Sequence, residues 1–302
     1  MKEYGANMNK IKNFIAKIKG KKSKWAISLY EANKNNPFEI KKIQNIKYPL
    51  ITADDITDCN ASFVADPFLI KENNTFYLFF EIKNNDLNRG VIGLATSKDG
   101  YNYKYERIIL EEKYHLSYPA LYKIDNKWYM VPEIGESNEV RIYESLDFPY
   151  HWKLKKTILK GRNFADPTLL QHNGLWYLFV SDNTHTILEI YISEKFDGDY
   201  RPHKQNPIYN NKKIARPAGP IFKFKNKLFR FSQDCSSRYG EKINMFEITT
   251  LSPEKFEEKF IKVILKPVPG MNWNAKKTHH ICYLDIGDKY LIVNDGEGYK
   301  RK

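Results

Sequence analysis

Apolar residues in this chain come in short runs separated by turn-forming polar pairs, and the runs recur in one order. After Asp66 an apolar run (67–70) leads through a polar turn (72–74) to a second run (75–80) that ends in Glu81. The same order leads from Tyr118 to Glu133 and from Asp166 to Ser181, and each interval is fifteen residues. A fourth copy runs from Arg216 to Gln233, stretched to seventeen, and a fifth from His279 to Asn294, again fifteen. Short apolar runs bounded by turn residues read as strands. A period of roughly fifty residues with several such strands in each copy predicts a β-propeller.

The two ends of the chain complete the pattern. Residues 24–32 resemble the third strand of a repeat (compare 90–100 and 138–145), and residues 37–45 resemble the fourth (compare 103–110 and 152–159). The last repeat has only its first two strands, so strands from both termini should close one blade and remove two free sheet edges. The expected fold is all-β: a five-bladed propeller over 24–302, one domain, preceded by a basic segment at 1–23. In that segment Met8, Ile11, Phe14, Ile15 and Ile18 fall at helical spacing among lysines. This predicts a short amphipathic helix, with peripheral membrane contact through residues 8–22 as one use and packing on the propeller rim, or a frayed tail, as the other.

Composition sharpens this picture in three places. The 302 residues are 42% hydrophobic and 15% aromatic, which suits one large all-β domain. The net charge of +13 is uneven, with eight lysines against one glutamate between Met1 and Lys24. Basic charge concentrated in one tail, with a mildly basic body and aromatics spent on strand cores, argues against nucleic acid as a partner. Three widely spaced cysteines (Cys59, Cys235, Cys282) form no metal-ligand pattern and leave one unpaired in any disulfide scheme. With no secretory apolar stretch and no run near the ~20 residues of a membrane span, the expected location is the cytoplasm, with the inner membrane face as an extension of that reading.

Propeller geometry turns the repeat into candidate chemistry. The first strand of each blade lines the channel, so Asp66, Tyr118, Asp166, Arg216 and His279 form one ring and Glu81, Glu133, Ser181, Gln233 and Asn294 a second. Flanking positions (Phe68, Leu121, Leu169, Ile221, Tyr283) are apolar or aromatic. A purely structural repeat would favour one small or apolar residue in every copy, whereas polar types that differ from copy to copy suit a shared ligand site. Carboxylates gathered on one axis raise each other's pKa values, and a nearby Arg or His lowers them again, which sorts acids from bases. The plainer account of Ala65-Asp66-Pro67 and Ala165-Asp166-Pro167 is a turn at each blade start.

These motifs resemble the five-bladed propellers of the glycoside hydrolase family 43 and 32 type, whose blade-start Ala-Asp-Pro motifs carry catalytic carboxylates. A closer resemblance lies in 115–119 (HLSYP), 129–133 (YMVPE), 215–219 (ARPAG), 231–240 (FSQDCSSRYG) and 273–280 (WNAKKTHH). These are similar to the propeller domain at the N-terminus of plant glucosamine inositolphosphorylceramide transferases and of bacterial stand-alone relatives, over about 61–294. The hydrolase resemblance implies Asp66 as base or nucleophile and Asp166 as the carboxylate that orients substrate or stabilises charge. The hydrolases' acid is a Glu on a later blade; here the fourth blade offers Arg216, Gln233 and Asp234, and Glu133 on the second blade is the substitute.

That departure shifts the expected function. Arg216, Arg238, Lys276, Lys277, His279 and His280 fall on the fourth and fifth blades, opposite the carboxylates, and could hold the phosphate of an activated sugar donor while a carboxylate deprotonates an acceptor hydroxyl. The leading expectation is a glycosyltransferase of cell-surface polysaccharide or glycolipid assembly, with an activated sugar donor and a carbohydrate acceptor as partners and no cofactor or metal. Asp66, Asp166 and Glu133 are the catalytic candidates. Glu81, His115, Tyr118, Arg216, Gln233, Asp234, Arg238, Lys276, His279, His280 and Asn294 are the binding candidates. A glycoside hydrolase using Asp66, Asp166 and Glu133, and a non-catalytic sugar-binding propeller, are the alternatives. Asp197-Gly198-Asp199 resembles a metal-binding DxD but occupies a hairpin slot, and adjacent His279 and His280 on a strand should face opposite ways.

Overall fold

A computed structural model describes residues 23–270 and 272–299; the predicted helix at 8–22 lies outside the described residues. The chain forms five β-sheets. It begins with the two outer strands of the closing blade, β1 (Ser23–Asn33) and β2 (Asn36–Lys42). The first full blade is β3 (Ala61–Glu72), β4 (Thr75–Asn84), β5 (Arg89–Ser97) and β6 (Lys104–Leu110). The second is β7 (Ser117–Ile124), β8 (Lys127–Glu133), β9 (Glu139–Asp147) and β10 (His151–Lys160). The third is β11 (Phe164–His172), β12 (Leu175–Asp182), β13 (Ile187–Ser193) and β14 (Arg201–Pro202), with β15 (Tyr209–Asn210) also pairing β13. The fourth is β16 (Phe222–Phe224), β17 (Lys227–Asp234), β18 (Lys242–Leu251) and β19 (Phe256–Leu265). Finally β20 (Ile281–Asp285) and β21 (Lys289–Tyr299) return to the start, giving the order β2-β1-β21-β20.

The predicted closure is therefore present, two strands from each end. β1 pairs with β21 without interruption from Ser23 opposite Tyr299 to Asn33 opposite Lys289. This long antiparallel seam leaves no open edge between the first and last strands of the circle.

Local sequence explains the repeated hairpins. The first two strands of four blades are joined by two-residue turns whose residues both take positive φ: Asn73-Asn74, Asp125-Asn126, Asn173-Gly174 and Lys225-Asn226. Asn, Asp and Gly tolerate that conformation, and the resulting turn matches the twist of the flanking strands. Between blades the apolar faces interlock through aromatics. Phe148 stacks on Trp128 and lies edge-on to Tyr77 and Trp152, while Phe38 reaches across from β2 to Phe222, Phe224 and Phe229 of the fourth blade. Leu78, Phe79 and Phe80 on β4 are wholly buried.

One irregularity recurs at the inner end of three blades, and it positions the site. Ala65 pairs with Glu81 and Phe68 with Phe79, so Asp66 and Pro67 together oppose the single residue Phe80. The same bulge places Tyr118-Pro119 between Ser117 and Ala120, and Asp166-Pro167 between Ala165 and Thr168. Asp66, Tyr118 and Asp166 all adopt left-handed φ, at 51°, 47° and 49°. Bulges re-aim a side chain, and a non-glycine residue held at positive φ marks a place where the surrounding structure over-determines the backbone.

Candidate functional site in the propeller channel

The three re-aimed residues meet in the channel. Asp166 is almost wholly buried and its carboxylate is saturated: Arg216 donates from Nε (2.6 Å) and Nη2 (3.2 Å), and Gln233 donates from Nε2 (2.8 Å). Its own amide donates to Glu133 Oε2 at 2.9 Å, and Arg216 Nη2 reaches that same oxygen at 3.2 Å. Burial pushes Asp166 up to about 6, with Arg216 pulling it down and Glu133 pushing it up. Arg216 in turn meets His185 Nδ1 at 2.7 Å and lies over the Tyr239 ring at 5.3 Å. His185 is driven down to about 4, by burial first and the Arg216 charge second, and is neutral.

Tyr118 forms the floor. Its hydroxyl is 2.7 Å from Thr168 Oγ1 and accepts from the Gly219 amide at 3.1 Å, so one side chain ties the second, third and fourth blades together. Gly219 is required there, since a Cβ would sit 1.9 Å from the Ile281 carbonyl oxygen.

Asp66 lies against the fifth blade. Tyr118 N–H donates to its Oδ2 (3.2 Å), and the Asp66 amide donates to Asp295 Oδ2 (3.0 Å). His279 Nδ1 stands 2.8 Å from Asp295 and 3.5 Å from Asp66, and His280 Nδ1 3.8 Å from Asp66. Burial raises the Asp66 pKa far above the usual carboxylate range, and Asp166, Glu81, Asp295 and Glu133 raise it further. Burial would raise Asp295 as well, but His279, His280 and the Asp66 amide outweigh it and keep it ionised. Two adjacent carboxyls are thus shifted in opposite directions, Asp66 up and Asp295 down. Asp66, His279 and Asp295 are the one group among the described residues whose ligand atoms lie within 4.8 Å of each other in the manner of a metal site. The Asp295 oxygens are already taken by the amides of Asp66, His279 and His280, so hydrogen bonding accounts for the arrangement.

Glu81 and His115 form a third pair. His115 Nε2 lies 3.0 Å from Glu81 Oε1, while Gly90 N–H donates to Nδ1 at 3.0 Å, fixing the proton of the neutral ring on Nε2. Burial lowers the His115 pKa, but the hydrogen bond to Glu81 outweighs it and the net shift is upward. A solvent-facing cavity of about 220 Å³ opens above, lined by His115, Glu133, Glu136, Asn163, His185 and Arg216 among others.

The remaining sequence candidates are placed as follows. Asp234 turns into its own loop, accepting from Ser236 and pairing with Lys242 at 3.2 Å, and no carboxylate of the fourth blade reaches the channel among the described residues. Arg238 is exposed, Lys276 lies over the Tyr299 ring, and Lys277 pairs with Glu297 at 2.5 Å. Arg216 is thus the cation that enters the channel. Asn294 faces away from the axis, toward a lateral cavity with Tyr30 and Phe38, because its neighbour Asp295 faces inward. Asp197 and Asp199 sit in a turn and bind Lys155 and Lys156 of the second blade.

Several contributors escaped the sequence reading. Cys282 pairs with Val293 as Phe68 pairs with Phe79, which makes His280 and Asp295 the equivalents of Asp66 and Glu81. The interval from His280 to Asp295 is also fifteen, so spacing alone admits both registers, and a one-residue slip swaps the faces. His185 and Tyr239 come from loops and Trp25 from the start of β1, none of them at a ring position of the repeat; Trp25 lies against the His279 ring at 4.0 Å.

The fold is that of a five-bladed propeller with a polar channel. The model of the family described as "Glucosamine inositolphosphorylceramide transferase 1, N-terminal" matches residues 19–297, and the chain belongs to that family. It is 36% identical to glucosamine inositolphosphorylceramide transferase 1 of Oryza sativa subsp. japonica and 34% to that of Arabidopsis thaliana. Each match covers 90% of this chain but only 40% and 39% of the relative, so the chain spans less than half the length of these proteins. Among solved structures it is similar to the GH62 α-L-arabinofuranosidase catalytic domain of Coprinopsis cinerea (TM-score 0.60, 11% identity, 77% of this chain and 90% of that one). It is also similar to Zg3597, a family 117 glycoside hydrolase of Zobellia galactanivorans (0.56, 13%, 90% and 91%). At these identities the likeness is one of fold.

Proposed function

We propose that the protein is a glycosyltransferase that moves a sugar from an activated donor to a carbohydrate acceptor in the assembly of a cell-surface polysaccharide or glycolipid. The observation that carries this reading is the fourth blade's contribution: Arg216 and Gln233 both bind Asp166, and Asp234 turns away. The blade from which the resembling hydrolases take their acid supplies no carboxylate here, and the relatives are named as a transferase. A stable fold alone does not require this channel, since burying Asp66, Glu81, Asp166 and Asp295 together is costly unless the site uses them.

In this reading the acceptor hydroxyl attacks the anomeric carbon as the bond to the donor's leaving oxygen breaks, and the leaving group departs with the electron pair. Glu133, which lines the open cavity, takes the hydroxyl proton. Asp166 holds the Arg216 guanidinium in place, and Arg216 with neutral His185 faces the charge of the leaving group. Asp66, whose pKa burial raises, hydrogen-bonds the sugar. The reaction is proposed to run in the cytoplasm, with residues 8–22 as a membrane contact.

Incubation with nucleotide-activated hexoses and with inositol-phosphate and oligosaccharide acceptors tests this. Mass spectrometry should show a product one sugar larger, lost on Glu133→Gln. Hydrolysis using Asp66, Asp166 and Glu133 is the second reading, favoured by the upward shift of the buried Asp66, the direction a glycosidic acid needs. Cleavage of aryl glycosides with no transfer product would replace the first reading by the second, and binding without any product would leave a sugar-binding propeller.

A further inference from the structure

Beside the channel, on the other side of Trp25, the described residues enclose a second cavity of about 260 Å³. It is lined by three aromatic side chains from three separate segments: Trp25 at the start of β1, Trp273 from the loop before β20, and Tyr299 at the end of β21. Polar groups edge it, among them Lys24, Lys47, Thr52 and Asp54.

The walls are fixed by the sequence. Thr52 and Asp55 form a capping box around the short 3₁₀ turn at Ala53–Asp55, with the Thr52 amide and hydroxyl both donating to Asp55 Oδ2. Lys47 Nζ then binds Asp55 Oδ1 at 2.6 Å. On the opposite wall β21 carries Gly296 and Gly298. A Cβ at Gly296 would come within 2.8 Å of the Trp273 ring, and one at Gly298 within 2.2 Å of the Trp273 carbonyl oxygen. Neither glycine has a left-handed φ, so it is the close approach of the Trp273 segment that requires them.

We infer that this cavity is a second sugar-ring subsite, which holds the next ring of the glycan whose reacting ring sits in the channel. The inference rests on the carbohydrate reading of the channel proposed above. Aromatic faces with polar groups at the rim suit a ring that presents C–H bonds on its face and hydroxyls at its edge. The volume is below the roughly 300–1,000 Å³ of drug-sized sites, which matches one ring and not a chain of them. Continuity with the channel comes from Trp25 itself. It borders the cavity and also lies against His279, which touches Asp295 and Asp66. Walls held in place before binding reduce the ordering cost of a small polar ligand.

Fluorine NMR of the full chain labelled with 5-fluorotryptophan tests the subsite directly. The chain has five tryptophans, and Trp128, Trp152 and Trp176 lie elsewhere, so they serve as internal controls of fold. The probes are glucose, galactose, mannose, glucosamine, myo-inositol and short oligosaccharides containing them. At least one should move the Trp25 and Trp273 resonances together, in a saturable way, and leave the other three unmoved. Ala53→Phe, which fills the cavity from the 3₁₀ turn, should weaken that response at least tenfold with the three control resonances in their native positions. No response from any probe, a response spread over all five tryptophans, or an unchanged affinity in Ala53→Phe would overturn the subsite. Saturable binding here without turnover of any donor would leave the subsite standing and remove the transfer reading.

Discussion

Arg216 grips Asp166 from the neighbouring blade, with Nε on one carboxylate oxygen at 2.6 Å and Nη2 on the other at 3.2 Å. The two residues come from blade starts fifty positions apart, and both are nearly inaccessible to solvent. A planar guanidinium satisfies both oxygens of a carboxylate in a way a lysine ammonium does not. Removing Arg216 leaves Asp166 buried with Gln233 as its donor and no cation, and removing Asp166 leaves Arg216 with Glu133 as its carboxylate partner. Arg216→Met should therefore cost about 3–5 kcal/mol in urea unfolding, and pairing it with Asp166→Leu should recover a large part of that loss. Equal and additive costs for the two single variants would show that the pair is not coupled.

A second buried pair separates stability from function. Arg230 and Glu258 on the fourth blade are fully buried, and Arg230 Nε donates to Glu258 Oε2 at 2.7 Å. This pair lies outside the channel. Arg230→Met should destabilise by a similar amount, about 3–5 kcal/mol, while the protein that remains folded keeps its affinity for sugar ligands. Arg216→Met should lose both. Loss of ligand affinity in both variants alike would mean that the channel has no special role.

Tyr118 links three blades through one hydroxyl. Tyr118→Phe leaves the Gly219 amide and Thr168 Oγ1 without that partner in a buried setting, which should cost about 1–3 kcal/mol. Gly219→Ala should be far worse, because its Cβ would overlap the Ile281 carbonyl. Thermal unfolding of the two variants orders them; a Gly219→Ala protein as stable as Tyr118→Phe would contradict this close approach.

His280 sets an acid limit. Its ring is fully buried with neither nitrogen hydrogen-bonded, and burial drives its pKa from 6.5 down to about 4. The unfolded chain therefore binds a proton that the folded chain refuses, and this group lowers stability as pH falls from about 6.5 to about 4. His280→Phe removes the effect, so its stability relative to the parent should rise over that window, by up to about 3 kcal/mol at the acid end. Asp166, raised to about 6, acts in the opposite sense: the folded chain holds its proton more tightly, so its contribution falls as pH rises from about 4 to about 6. A difference between His280→Phe and the parent that does not change with pH would show that His280 does not titrate in this way.

The sequence itself carried the architecture. Five copies of strand, short turn, strand and polar terminus are a local pattern, and four of them fold their hairpins through two-residue turns such as Asn73-Asn74 or Asp125-Asn126. Blade closure by both termini was legible for the same reason, because the missing strands resemble their counterparts. Asp66, Tyr118, Asp166, Arg216 and Glu133 were legible as channel residues because they occupy equivalent places in that pattern. What only the tertiary structure decided is how these residues are charged and which face one strand presents. Asp295 replaces Asn294 at the axis through a register that a fifteen-residue spacing does not fix. The lysines expected to hold phosphate are occupied at the rim, by Tyr299 and Glu297, so the channel's positive charge is Arg216, already bound by two carboxylates. The Asp66 pKa is raised by its burial first and then by four other carboxyl groups that converge on it from three other blades and its own, a sum over distances that a linear sequence does not contain.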